Sequence, residues 1–242
     1  ARGDGADIAL GGDGDDFVVG GRGDDLALLG AGDDVFVWNP GDGSDTIEGQ
    51  AGEDSMLFNG ANAAENIDIA ANGGRVRFFR DVANIVMDLN DVEATTFNAF
   101  GGADNIVIGD LSGTDLSRLE ISLIGGSGQA NDGVADSITQ NGTQGADVIA
   151  VSSGNQQVFV DGLQVDTSIT GADAALDRLT VNGAGGDDVI DATGLAAGNI
   201  GLTMNGGLGN DVFLGSAGAD LIVGGDGDDV ALMGAGDDVF VW

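Results

Sequence analysis

A nine-residue period constrains this chain more than any other feature. From Arg2 the sequence reads RGDGADIAL, GGDGDDFVV, GGRGDDLAL and LGAGDDVFV without a gap, and after Trp38 and Asn39 it continues PGDGSDTIE and GQAGEDSML. The pattern returns from Gly206 to Val241 as GGLGNDVFL, GSAGADLIV, GGDGDDVAL and MGAGDDVFV. The fourth position of every unit is Gly: Gly5, Gly14, Gly23, Gly32, Gly43, Gly52, Gly209, Gly218, Gly227 and Gly236. The sixth is always Asp: Asp7, Asp16, Asp25, Asp34, Asp45, Asp54, Asp211, Asp220, Asp229 and Asp238. A fixed period of this kind is the signature of a stacked-repeat fold.

The first six positions of a unit are too rich in Gly for regular structure, so they predict a turn. The last three, such as FVV, LAL and VFV, predict a short strand. Two units make one coil, so each unit stacks on the next but one. The sixth-position carboxylates then line up along each edge, Asp7 with Asp25, Asp16 with Asp34, Asp211 with Asp229 and Asp220 with Asp238. Strands ~4.8 Å apart hold such charges within range of mutual repulsion. The whole chain sharpens the problem: 41 acidic residues face 7 arginines, for a net charge of −34. Either the chain stays open or cations bind it; nucleic acid and anionic membrane are poor partners.

Ca²⁺ takes about 6–8 oxygens from carboxylates and carbonyls, which glycine-rich turns supply; Mg²⁺ demands tighter octahedral geometry. Zinc lacks its usual ligands, because the chain has neither His nor Cys. The candidate metal-binding positions are Asp7, Gly12, Gly14, Asp16, Gly21, Gly23, Asp25, Gly30, Gly32, Asp34, Gly43, Asp45, Gly52 and Asp54. In the C-terminal set they are Gly207, Gly209, Asp211, Gly218, Asp220, Gly225, Gly227, Asp229, Gly236 and Asp238.

These units resemble the RTX (repeats-in-toxin) calcium-binding nonapeptide family, whose consensus is G-G-x-G-x-D-x-U-x. The resemblance implies a parallel β-roll, several Ca²⁺ ions in the turns, and export by a type I secretion system to an extracellular or cell-surface location.

Residues 58–205 carry only an echo of the pattern. FNGANAAENIDI, FNAFGGADNIVI, QNGTQGADVIAV and VNGAGGDDVIDA each contain a degraded unit, with Glu65, Asp104, Asp147 and Asp188 in the sixth position. The strand-like runs between them predict an all-β fold: a β-roll over 1–57, a wider degenerate β-solenoid or an inserted β-sandwich over 58–205, and a second β-roll over 206–242. The solenoid reading expects about two coils per ~40 residues, with few metals. A short helix is expected over 171–179, where GADAALDRL has helical apolar spacing. Arg75, Arg77 and Arg80 read as a solvated strand face, with an acidic partner as the alternative.

The ends repeat one another: GAGDDVFVW occurs at 30–38 and again at 234–242. This is either family resemblance between units or a longer tandem period. Within the units, the seventh and ninth positions are apolar beside the inward eighth, as in Ile8 and Leu10, Phe17 and Val19, Leu26 and Leu28, and Val35 and Val37. Such an outer stripe suits lateral packing, either self-association or cover by another segment. Catalytic signatures are lacking. Without His there is no H-E-x-x-H centre, and no G-x-S-x-G elbow occurs. The sequence therefore predicts a non-enzymatic, calcium-binding structural or adhesive module, the alternative being a calcium-dependent secretion and stabilisation tail of a larger exported protein. Arg22-Gly23-Asp24, Arg2-Gly3-Asp4 and the sequon Asn141-Gly142-Thr143 all read as turn chemistry.

Overall fold

Each complete unit bends through its glycines and ends in a short strand, and successive strands fall alternately into two facing sheets. The computed structural model describes residues 3–126 and 131–242. Arg2 therefore lies outside the described residues. The predicted stacking holds in detail. Ile8 pairs with Leu26, Phe17 with Val35, Val212 with Val230 and Leu221 with Val239, all in parallel register.

In spatial order the first sheet contains Ile8–Asp13, Leu26–Ala31, Thr46–Ala51, Ile85–Asn90, Arg75–Arg80, Asn66–Asn72, Asn105–Ile108, Ser137–Asn141, Arg178–Gly185, Gly201–Leu208, Asp220–Asp226 and Val239–Val241. The second contains Phe17–Val19, Val35–Trp38, Ser55–Asn59, Ala94–Asn98, Arg118–Ser122, Asp166–Thr170, Gln157–Asp161, Val148–Gly154, Val189–Gly194, Val212–Leu214 and Val230–Leu232. Both sheets run through the degenerate segment without a break, so the described residues form a continuous β-solenoid with no separate sandwich inserted; a short extra ladder pairs Gly3–Asp4 with Gly21–Arg22.

The solenoid departs from a uniform roll at two antiparallel hairpins. Asn66–Asn72, Arg75–Arg80 and Ile85–Asn90 zigzag within the first sheet. Val148–Gly154, Gln157–Asp161 and Asp166–Thr170 do the same in the second. Each hairpin adds two strands to its own sheet, and because there is one in each sheet the two sheets stay matched along their length, with Phe78 of the first hairpin packed on Phe58 and Phe97 of the facing sheet. The expectation of two coils per ~40 residues fails: the hairpins lengthen the coils from Glu65 to Asp104 and from Asp136 to Asp177, and the coil from Asp104 to Asp136 is long without one. Equivalent carboxylates are 18–20 residues apart in the N-terminal coils but 39, 32 and 41 apart from Glu65 to Asp104, Asp136 and Asp177. One long coil takes the place of two short ones.

No helix forms over 171–179: Asp173 caps a tight turn, accepting the Ala175 N–H at 2.9 Å, and the strand starts at Arg178. Apart from one 3₁₀ turn at Val82–Asn84, the described residues contain no helix, so none is long and apolar enough to cross a membrane.

Period-two alternation fills the space between the sheets. The eighth-position side chains Val18, Ala27, Phe36, Ile47, Met56 and Phe213 are buried. The bulkiest packing lies beside the first hairpin, where Trp38 stacks on Phe58 at 4.1 Å and Phe58 meets Phe78 at 4.5 Å. Outward side chains of the first coil are bare, with Ile8 68%, Leu10 73% and Phe17 69% exposed. The predicted stripe weakens one coil further on: Leu26, Leu28 and Val35 are half-buried, and Val37 is buried outright.

Candidate metal centres

The sixth-position carboxylates form ladders. In each rung the aspartate backbone N–H donates to Oδ1 of the equivalent aspartate one coil on. Asp7 donates to Asp25 at 2.7 Å, Asp25 to Asp45 at 2.9 Å, Asp16 to Asp34 at 2.7 Å and Asp34 to Asp54 at 2.9 Å. At the other end Asp211 donates to Asp229 at 2.9 Å and Asp220 to Asp238 at 3.0 Å.

The ladders also run through the degenerate segment. Asp54 donates to Glu93, Glu65 to Asp104, Asp104 to Asp136, Asp136 to Asp177, Asp147 to Asp188 and Asp188 to Asp211, at 2.7–2.9 Å. Glu93, Asp136 and Asp177 were not legible as repeat positions because their glycines are gone. The remaining signal is an acidic residue just before a strand.

Each carboxylate that accepts such a bond uses one oxygen in it, and the donors to the remaining oxygens divide the rungs into two kinds. In Asp16, Asp25, Asp34, Asp45, Asp54, Asp104, Asp188 and Asp211, Oδ2 is buried and has no hydrogen-bond donor. A buried, unpaired carboxylate oxygen is costly unless a cation meets it. Elsewhere the protein supplies the partner. Ser216 donates its hydroxyl to Asp220 Oδ1 at 2.7 Å and its N–H to Oδ2 at 2.6 Å. Thr143 serves Asp147 in the same way, and the Asp173 N–H serves Asp177.

Burial, opposed by the hydrogen bond from the neighbouring rung and reinforced by that rung's charge, pushes Asp45 up to about 7 and Asp104 up to about 8. Asp54, Asp136 and Asp188 rise to about 6, again chiefly through burial. Asp177, Asp211 and Asp220 are raised for the same reason.

The glycines shape the other half of each site. Of the predicted ones, Gly12, Gly14, Gly21, Gly23, Gly30, Gly32, Gly52, Gly207, Gly209, Gly225, Gly227 and Gly236 have positive φ, whereas Gly43 and Gly218 do not. The sequence reading overlooked the glycine that opens six of the ten units. A methyl group on Gly206 would overlap Asp211 Oδ2 and lie 2.6 Å from the Gly224 carbonyl oxygen. On Gly183 it would overlap Asp188 Oδ2 and lie 2.7 Å from the Gly206 oxygen. Each such notch is lined by an orphan carboxylate oxygen and a main-chain carbonyl of the next rung. Among the described residues no three acidic side chains converge on one point. A Ca²⁺ ion held here would need main-chain carbonyl oxygens beside the carboxylates, a donor set that suits a hard cation.

Segments 2–36, 41–62 and 205–240 match the family model of the RTX calcium-binding nonapeptide repeat (4 copies). These segments are RTX repeats, and RTX repeats bind Ca²⁺. No curated protein and no solved structure matches the chain. The orphan oxygens extend beyond the matched RTX segments, since Asp104 and Asp188 lie between them.

The remaining motifs are absorbed by the turns of the solenoid. Arg22-Gly23-Asp24 is part of a bend in which Asp24 accepts the Ser44 N–H at 3.0 Å. Asn141 donates its amide to the Ile108 carbonyl at 2.9 Å and accepts from Asn182 at 2.8 Å, so the sequon amide is engaged. The solvated-face reading fails for Arg80, while Arg75 and Arg77 lie on the outward, part-exposed strand face with acidic partners from the same chain. Arg75 bridges Glu48 and Asp88 at 2.8 and 2.7 Å, Arg77 pairs with Asp68 at 2.6 Å, and Arg80 is buried against Glu65. Alternation carried the signal, because Arg80 falls in step with the inward Val76 and Phe78.

Proposed function

We propose that this chain is an exported structural module whose coils close as Ca²⁺ enters the turns. The observation that carries this reading is the row of buried carboxylate oxygens without donors. Calcium held by Asp Oδ2 of one rung and the carbonyls of the next removes the repulsion that otherwise opposes stacking, so binding free energy becomes folding free energy. We assign ligand roles to Asp16, Asp25, Asp34, Asp45, Asp54 and Asp211, together with Asp104 and Asp188. Asp220, satisfied by Ser216, contributes less. The change in coil length supports a division into N-terminal roll, long-coil segment and C-terminal roll.

The structural role, rather than service as a tail for a catalytic partner, is favoured by the exposed apolar side chains Ile8, Leu10 and Phe17 on the outer sheet face, which suit self-association. Export in the open state and closure in millimolar extracellular calcium follow from the same chemistry. The test is circular dichroism and isothermal titration with calcium, magnesium and chelator, followed by sedimentation of the calcium form. β-structure that is indifferent to chelator sinks calcium-coupled folding, and a calcium form that remains monomeric at high concentration sinks self-association.

A further inference from the structure

At one rung of the ladder the protein carries its own cation. Glu65 occupies the sixth position, its N–H donates to Asp104 Oδ1 at 2.8 Å, and it is 1% exposed. Its N–H thus engages the next rung as at other sixth positions, and its buried carboxylate takes its donors from Arg80 and Ala61. Neither of its side-chain oxygens is orphaned. Arg80, 3% exposed, donates Nε to Glu65 Oε1 at 2.5 Å, and Oε2 accepts the Ala61 N–H at 3.3 Å. The guanidinium also donates to the Val82 carbonyl at 3.1 Å and lies 5.3 Å from the centre of the Trp38 ring. Glu rather than Asp at this rung supplies the extra methylene that reaches across to Arg80.

Two independent features coincide there. The strands around Arg80 form a hairpin with short connections, so their pairing needs little loop closure, unlike the parallel rungs elsewhere. The aromatic cluster of Trp38, Phe58 and Phe78 is centred on the same place. We infer that Arg80 replaces calcium at the Glu65 rung and makes the segment from Ser55 to Asn98 a metal-independent nucleus, onto which the flanking coils are added as their turns fill. This rests on the reading of the other rungs as calcium sites.

The experiment is hydrogen exchange with mass-spectrometric readout on the whole chain, in saturating calcium and in excess chelator. In chelator, peptides within 55–98 are expected to exchange at least about tenfold more slowly than those within 3–36 and 205–241. Arg80→Met, which leaves the carboxylate buried alone, is expected to abolish that difference, and Glu65→Gln combined with Arg80→Met to restore part of it. Equal, rapid exchange of all segments in chelator overturns the inference while leaving calcium-coupled folding intact. Equal protection with and without calcium overturns both. A wild-type difference that survives Arg80→Met shows that the hairpin and aromatics suffice and overturns the role given to Arg80. If Arg80→Met fails to fold, the wild-type comparison and the double variant still decide.

Discussion

Asp45→Asn isolates the conflict on which calcium-coupled folding depends. In the folded chain Asp45 Oδ1 accepts the Asp25 N–H at 2.9 Å, while Oδ2 is buried without a donor. Burial raises the carboxyl from 3.8 to about 7. A folded-state value above the unfolded one means that the folded form holds the proton more tightly. The stability owed to this group is then full below about pH 4 and is lost as the pH rises towards 7. At 1.36 kcal/mol per unit, ionised Asp45 costs the metal-free fold about 4 kcal/mol at pH 8, an upper bound. Asparagine keeps the Oδ1 acceptor and deletes the charge, but leaves an amide to be satisfied at about 1–3 kcal/mol.

The expected result in chelator at pH 8 is a variant more stable than the wild type by about 1–3 kcal/mol, the difference left by these two terms. At pH 4 the advantage vanishes or reverses. In saturating calcium the order inverts, because the variant has lost a charged ligand. Urea unfolding followed by circular dichroism reads all three conditions, with sucrose added where the metal-free coils are already open. A variant less stable than the wild type in chelator at pH 8, or one with an unchanged calcium response, refutes the reasoning.

Three further outcomes follow from the same geometry. Gly206→Ala forces a methyl group against Asp211 and the Gly224 carbonyl; an overpacking cost of about 1–3 kcal/mol is expected, seen as a lower melting temperature in calcium. Asp211→Asn should lower the calcium stoichiometry measured by titration calorimetry, whereas Asp220→Asn should leave it unchanged because Ser216 already satisfies that carboxylate. Gln50 adopts φ of 79° where every other unit but that of Ser216 places glycine, so Gln50→Gly should stabilise the calcium form by about 1 kcal/mol in chemical unfolding.

Much of the fold follows from local chemistry written into each unit. Gly at the fourth position and Asp at the sixth, nine residues apart from unit to unit, dictate a turn and a strand, and two units per coil dictate that Asp7 meets Asp25. Nothing in that argument needs distant residues, which is why the end rolls were legible. The asparagines that open the degenerate units stack in two pairs, Asn98 donating to Asn59 at 2.8 Å and Asn182 to Asn141 at 2.8 Å, but the pairs lie in different sheets. The long coils were not legible, because a hairpin and a further coil share the same alternation of apolar and polar residues. Only pairing across the sheet distinguishes Arg75–Arg80 as an antiparallel insert. The fate of each carboxylate was equally hidden. Asp211, Asp220 and Glu65 occupy one position in one motif, but Asp211 Oδ2 has no hydrogen-bond donor, whereas Ser216 donates to Asp220 and Arg80 to Glu65. That partner is chosen by how the chain returns to the rung, and a carboxylate's energy inside a protein depends on what returns beside it.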